Sequence, residues 1–241
     1  MFGGGLEWLV RRPIAHRGLH DGNRSIAENS LPAARAAIAA GYAIECDVQL
    51  SADGTPYIFH DDTLDRLTGR AGAFRETDDT TLGGLALIAG GAAIPPVADF
   101  LALVDGAVPV VMELKGISAE ADAGYVERLR PALSGYLGEL ALMSFDPWLI
   151  DQLLEAGLSY PVGLTAEGTE PEALRRHQEV VERGCDFVSY NVHHLPNEFV
   201  QWVRSERGAP VITWTVRSPA DAAQSARYAD QITFEGFAPQ H

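Results

Sequence analysis

Cysteine is nearly absent: Cys46 and Cys185 are the only two in 241 residues. They could form at most one disulfide, match no Cys-x-x-Cys or zinc spacing, and suit a reducing compartment. Long apolar runs are missing as well. The apolar stretch near the start, 6–10, contains Glu7 and is too short for a signal-peptide core or a membrane-spanning helix. Cations are scarce, with 18 Lys+Arg against 33 Asp+Glu and a formal net charge of -15. That balance argues against non-specific binding to nucleic acid or to an anionic membrane surface, because both require many phosphates to be neutralised. No solenoid repeat, coiled-coil heptad or low-complexity tail is visible, and Gly3-Gly4-Gly5 reads as a mobile terminus. There is no Walker loop, no dinucleotide fingerprint after a strand and no Gly-x-Ser-x-Gly elbow. A cytoplasmic protein without stable membrane insertion is expected.

What is present is an ordinary globular composition, 46% hydrophobic and 21% charged, in a length that suits one large α/β domain spanning 1–241. Short β-branched runs alternate with longer helical segments, the signature of a parallel α/β architecture. Strands are predicted over 13–16, 43–50, 56–60, 108–114, 140–144, 162–164, 187–190, 211–216 and 231–234. Ser30 with Pro32 opens a helix that Gly41 closes, and Glu170-Pro171-Glu172 opens another that runs to Gly184. The number of strands favours a barrel over an open sheet. Between the second and third runs lie only Ser51-Ala52-Asp53-Gly54-Thr55, a turn too short for a crossover helix. A slightly irregular TIM-type (β/α)8 barrel is therefore predicted, with segment 61–96 as a small insertion after the third strand, over one end of the barrel.

The chemistry-bearing residues gather at strand ends. In Ile44-Glu45-Cys46-Asp47-Val48, alternation places Glu45 and Asp47 on one face and Cys46 on the other. Two inward carboxylates would cost several kcal/mol each to desolvate, so a compensating cation is expected, a hard divalent ion being the simplest. Glu113 and Lys115 share a face at the end of another apolar strand. Taken alone, that pair reads as a surface ion pair at the strand mouth. His16-Arg17-Gly18 ends the first strand and His60-Asp61 the third. A lone strand-end histidine is usually structural. Two histidines, an arginine, a lysine and three carboxylates at C-terminal strand ends instead point to the face where barrel enzymes carry out their chemistry. His20, His177, His193, His194 and His241 lack comparable partners and read as surface or loop histidines, with His193-His194 the nearest to a site mouth.

In order and spacing, these motifs resemble the glycerophosphodiester phosphodiesterases. The resemblance rests on His16-Arg17-Gly18, Glu28-Asn29-Ser30, Glu45-Cys46-Asp47-Val48, Asp53-Gly54-Thr55-Pro56, His60-Asp61, Leu64-Asp65-Arg66 and Thr68-Gly69. Looser matches follow at Ile94-Pro95, Glu113-Leu114-Lys115, Ser144-Phe145 and Trp214-Thr215-Val216. It implies a TIM-type barrel, a divalent metal (Mg²⁺ or Ca²⁺), and hydrolysis of small-molecule glycerophosphodiesters to glycerol 3-phosphate and an alcohol. It also implies Glu45, Asp47 and Glu113 as metal ligands, His16 and His60 as an acid/base pair, and Arg17, Glu28, Lys115 and Trp214 around the substrate. One departure stands out: the family's final Thr-Asp pair, followed closely by Pro, is replaced by Thr233-Phe234-Glu235-Gly236-Phe237, which should alter the rim and leave the catalytic set alone. A related phospholipase acting on lipids is the alternative within the same fold, but no interfacial amphipathic helix or basic patch supports it. A non-catalytic barrel binding phosphorylated metabolites is the alternative outside enzymes, but none of the matched residues is missing.

Overall fold

The computed structural model describes residues 5–239, so His241 and most of the glycine run lie outside the described residues. Eight parallel strands close into a ring: β1 (Ile14–Ala15), β2 (Ala43–Leu50), β4 (Val110–Leu114), β5 (Leu140–Ser144), β6 (Val162–Ala166), β7 (Phe187–Asn191), β8 (Val211–Val216) and β9 (Gln231–Phe234). Closure comes from β1, which pairs with both β2 and β9. The irregularity at the short Asp53-Gly54 turn takes a definite form. With no crossover helix available, β3 (Pro56–Ile58) folds back antiparallel on the end of β2 and stays outside the ring.

Helices cover the outside: α1 (Leu31–Ala40), α4 (Val97–Val104), α5 (Tyr125–Leu133), α6 (Pro147–Ala156), α7 (Pro171–Glu182), α8 (Glu198–Trp202) and α9 (Pro219–Tyr228). The predicted stop and start signals are used. Ser30 Oγ accepts the Ala33 N–H at 3.2 Å at the start of α1, and Gly41 leaves it in the left-handed conformation, φ 76°.

Strand alternation sorts the core into two layers. Ile44, Cys46, Val48, Val110, Met112 and Leu114 face outward and pack with the helices. Ile14, Ala43, Val111, Ala141, Met143, Phe187 and Ile212 fill the barrel interior, together with Leu9 of the short N-terminal 3-10 turn Glu7–Val10. Phe187 can occupy the barrel centre because Gly163 faces it from the next strand; a Cβ there would lie 2.3 Å from the ring. Above this apolar floor the inward positions turn polar: Glu45 and Asp47 on β2, Glu113 on β4, Ser189 on β7.

Segment 61–96 carries α2 (Asp65–Thr68), a 3-10 turn (Phe74–Glu76) and α3 (Asp79–Gly83). It has a minor core of its own, in which Tyr57, Phe59, Leu64, Leu67, Phe74 and Leu82 cluster and Phe59 stacks on Phe74 at 4.7 Å. Polar ties fix it to the barrel. Arg75 reaches the fully buried Asp122 at 2.5 Å, and Asp79 accepts from Ser51 at 2.6 Å and Thr55 at 2.5 Å.

Candidate active site

The C-terminal ends of the ring strands surround a cavity of about 320 Å³ lined by His16, Arg17, Glu45, Asp47, His60, Glu113, Lys115, Phe145, Trp214 and Arg217, among others. It is within the size range of small-molecule sites. A larger groove of about 840 Å³, beside Arg204, Arg227 and Tyr228, is an open surface feature that shares no residue with this cavity.

Register brings the carboxylates together. Asp47 on β2 sits directly opposite Glu113 on β4, and Glu45 lies two residues below Asp47 on the same face. Among the described residues, Glu45, Asp47 and Glu113 form the one group whose potential ligand atoms lie within 4.8 Å of one another, and all three are buried. Lys115 does not point away with Glu113 as an isolated surface pair. Its Nζ bonds Glu113 and reaches Asp47 Oδ1 at 3.1 Å, three-quarters buried. Arg17 approaches Asp47 from the other side, Nε to Oδ2 3.2 Å, while its backbone N–H donates to Glu45 at 2.9 Å. That backbone donation needs a left-handed turn: Arg17 has φ 55° and Gly18 φ 77°. A Cβ on Gly18 would meet Ala33 at 2.9 Å, so glycine is required where the loop passes α1.

Three buried carboxylates share two cations here, and Arg17 also pairs with Glu28 at 2.6 Å. The imbalance shows in their protonation. Burial pushes the Glu45 carboxyl well up, and the neighbouring Asp47 and Glu113 push it further. Glu113 is pushed up to about 6, chiefly by burial, against the pull of Lys115. Burial also acts on Asp47, but Lys115, Arg17 and the two histidines outweigh it and hold Asp47 low. Lys115, which burial alone would lower, is raised by Asp47 and Glu113. The cluster is short of positive charge at an all-oxygen position, and a hard divalent cation fits that donor set.

Both histidines carry a carboxylate on Nδ1. His60 Nδ1 lies 2.8 Å from Asp61 Oδ1, and His16 Nδ1 lies 2.6 Å from Glu235 Oε2. His16 Nε2 faces the cluster, 3.9 Å from Glu45. Its burial lowers its pKa, a shift the Glu235 hydrogen bond opposes without cancelling.

Behind Arg17, Glu28 is a buried hub accepting from Arg17, Asn23 and Arg66, and it is drawn down to about 2 because Arg66 and Arg17 overcome the burial effect. Arg66, from the insertion, grips Glu28 and Asp61 together with four hydrogen bonds of 2.6–2.9 Å. The insertion thereby connects the Arg17 loop to the His60 loop. Trp214 and Phe145 close the opposite wall edge to face, with centroids 5.3 Å apart.

All nine residues singled out from the sequence thus cluster at this end: eight line the cavity, and Glu28 lies behind Arg17. Several other expectations are corrected. The divergent chain end is not confined to the rim, since Glu235 reaches His16. His20 is half-buried with its Nε2 shielded from solvent, 3.7 Å from Glu235, and His177 is half-buried against Tyr190 and Phe199. His194 accepts from the Gly168 N–H at 2.8 Å and His193 lies near Asp221, so neither lines the cavity. Three residues stand in the quoted motifs without a role assigned from sequence: Glu235, Arg66 in its bridging position, and Asn29, whose amide donates to Asp47 at 2.8 Å. Asp61 and Arg66 lie in quoted motifs, but nothing local marks which side chain holds which.

Comparison with known proteins agrees with this geometry. The glycerophosphoryl diester phosphodiesterase family matches residues 16–237. Among solved structures, an Oleispira antarctica phosphodiesterase in complex with the product sn-glycerol-3-phosphate superposes with TM-score 0.80 at 21% identity, covering 94% of each chain. A Thermotoga maritima glycerophosphodiester phosphodiesterase gives TM-score 0.74 at 24% identity, covering 92% of each chain. Both share the barrel fold. Bovine glycerophosphodiester phosphodiesterase 1 is 45% identical over 60 residues, a stretch that spans 24% of this chain and 17% of that protein. With the match extending from His16 to beyond Glu235, the chain belongs to the glycerophosphoryl diester phosphodiesterase family.

Proposed function

We propose that this protein hydrolyses glycerophosphodiesters to glycerol 3-phosphate and an alcohol, with a divalent cation, Mg²⁺ or Ca²⁺, held by Glu45, Asp47 and Glu113. Family membership supports the reaction class, as does the product bound in the Oleispira antarctica structure. The observation that carries the reading is the meeting, in one cavity, of a three-carboxylate cluster with two histidines whose Nδ1 atoms are already engaged.

A bound cation would neutralise phosphate charge as it builds in the transition state. The protein's own groups do the rest. Arg17 and Lys115 line the cavity and bring positive charge to the non-bridging oxygens of a phosphodiester inside an otherwise acidic molecule. Glu28 holds Arg17 in place. With Nδ1 taken, His16 and His60 each keep Nε2 to accept or give a proton, which suits an acid/base pair working on the nucleophile and the leaving alcohol. Trp214 and Phe145, packed edge to face, give the cavity an apolar wall. The chain works as one barrel unit, with segment 61–96 covering part of the site. Among the described residues no helix is long and apolar enough to cross a membrane, and both cysteines are free thiols, in keeping with a small-molecule substrate and a cytoplasmic setting.

The test is glycerol 3-phosphate release from a panel of glycerophosphodiesters, with Mg²⁺ or Ca²⁺ and with EDTA. Cation-dependent release is expected. A folded, cation-supplied protein that releases none from any member of the panel would overturn the assignment.

A further inference from the structure

The end of the barrel carries a residue with no assigned role. Glu235 follows β9, and its two carboxylate oxygens are divided between two strong donors: Oε2 takes His16 Nδ1 at 2.6 Å and Oε1 takes Arg217 Nε at 2.6 Å. His20 stands nearby. Its Nδ1 accepts the Gly22 N–H at 3.1 Å, so its proton is on Nε2, which is buried, without a hydrogen bond, 3.7 Å from Glu235 Oε2. The backbone fixes the pair from below, because the His16 N–H donates to the Phe234 carbonyl at 2.9 Å and Ala15 pairs with Phe234 across β1 and β9.

We propose that Glu235 is the positioning residue of His16, fixing the proton on Nδ1 and turning Nε2 toward the cavity, and that Arg217 braces Glu235 from the rim.

The argument is one of donor and acceptor inventory. Burial alone would push Glu235 up, but the His16, His20 and Arg217 contacts hold its carboxyl far below the usual range, so it is ionised at neutral pH and can only accept. The His16 nitrogen facing it must then donate. In the neutral ring this leaves the lone pair on Nε2, the atom facing Glu45 and the cavity. The side chains on the cavity side of His16, Glu45 and Arg17, do not reach Nδ1 with any hydrogen bond. Without Glu235 the ring would be free to carry its proton on either nitrogen and to rotate. The brace matters because Glu235 is a fifth exposed and Arg217 more than half exposed; the guanidinium holds the carboxylate against the barrel rather than letting it turn to solvent.

This inference rests on the reading of His16 as one of the acid/base pair, and the experiment separates the two. Glu235→Ala, Glu235→Asp and His16→Ala are compared for kcat and KM on glycerophosphocholine, with nitrogen-15 NMR of histidine-labelled protein reporting the His16 tautomer at alkaline pH. Glu235→Ala should lower kcat by about 10²-fold or more with KM little changed, the scale of losing the partner that orients a working imidazole. Its His16 resonance should shift from the Nδ1-protonated form to a mixture, while the Mg²⁺-induced rise in Tm stays as in the parent. Glu235→Asp should regain at least about tenfold of the lost kcat by restoring the carboxylate. Should Glu235→Ala fail to fold, Glu235→Gln, which keeps the volume but offers one acceptor oxygen to two donors, is read the same way. A kcat within about threefold of the parent in either neutral variant while His16→Ala is inactive would remove Glu235 from the machinery, as would an unchanged tautomer. Full activity in His16→Ala would overturn this inference together with the reading it rests on.

Discussion

Adding a divalent cation should stabilise this protein: the cluster sets the sign of the effect and mass action its size. Without a cation, Glu45, Asp47 and Glu113 are three buried carboxylates sharing Arg17 and Lys115, and Glu113 is raised from about 4.5 to about 6. A carboxyl raised in the fold is stabilising while protonated, below its unfolded value near 4.5, and that contribution is lost as pH rises through 6. Such a shift corresponds to about 2 kcal/mol lost across that window. Cation binding restores charge balance. At one hundred times its dissociation constant a ligand specific for the folded state adds about 2.7 kcal/mol. For a chain of 241 residues, each kcal/mol is worth roughly 2–4 °C in Tm. Saturating Mg²⁺ or Ca²⁺ at pH 7.5 should therefore raise Tm by roughly 5–11 °C over an EDTA-treated sample. Glu45→Gln supplies the control. It removes a carboxyl that burial and its neighbours already disfavour as an anion, so the cation-free variant should melt no lower than the parent, while most of the cation-induced rise disappears. Differential scanning fluorimetry with a cation titration measures both. A Tm indifferent to cation, or an undiminished rise in Glu45→Gln, would refute the assignment of these carboxylates as the cation site.

His16→Ala and His60→Ala should each lower kcat by at least about 10²-fold, and the double variant should lose less than the product of the two, because the pair acts as a unit. Steady-state kinetics on folded variants decide it, and near-parental kcat in either single variant would reassign the pair. Arg66→Met should lower kcat/KM by roughly tenfold by releasing Asp61 and Glu28 together. Arg66→Lys should not rescue it, since an ammonium cannot grip two carboxylates in a fork; full activity in the lysine variant would reduce Arg66 to a surface ion pair.

Much of this site was legible because its chemistry is written in local patterns. Strand period two puts Glu45 and Asp47 on the inner face and Cys46 on the outer, and the structure keeps that division, with Cys46 packed among the helix-facing layer. The nine strands were likewise readable from β-branched runs, with ends shifted by a residue or two, and Gly41 marked the end of α1. The Asp53-Gly54 turn announced an irregularity, and its consequence, β3 pairing antiparallel outside the ring, follows from the lack of room for a crossover.

What the chain order could not reveal is every contact that depends on closing the ring. Lys115 belongs to Asp47 as well as to Glu113 because β2 and β4 are neighbours in register, although more than sixty positions separate the residues. Glu235 meets His16 across 219 residues because β1 and β9 close the barrel with Ala15 beside Phe234. A lone glutamate near a chain end carries no spacing signal, and a histidine at position 20 looks like any loop histidine until the same closure sets it beside that carboxylate. Side-chain direction along one strand is fixed by backbone geometry and is readable from residues two apart, as His60 and its neighbour Asp61 are readable from one motif; which strands adjoin, and at what register, is decided by packing of the whole barrel, and it is there that Glu235 was matched to His16 and Asp47 to both Arg17 and Lys115.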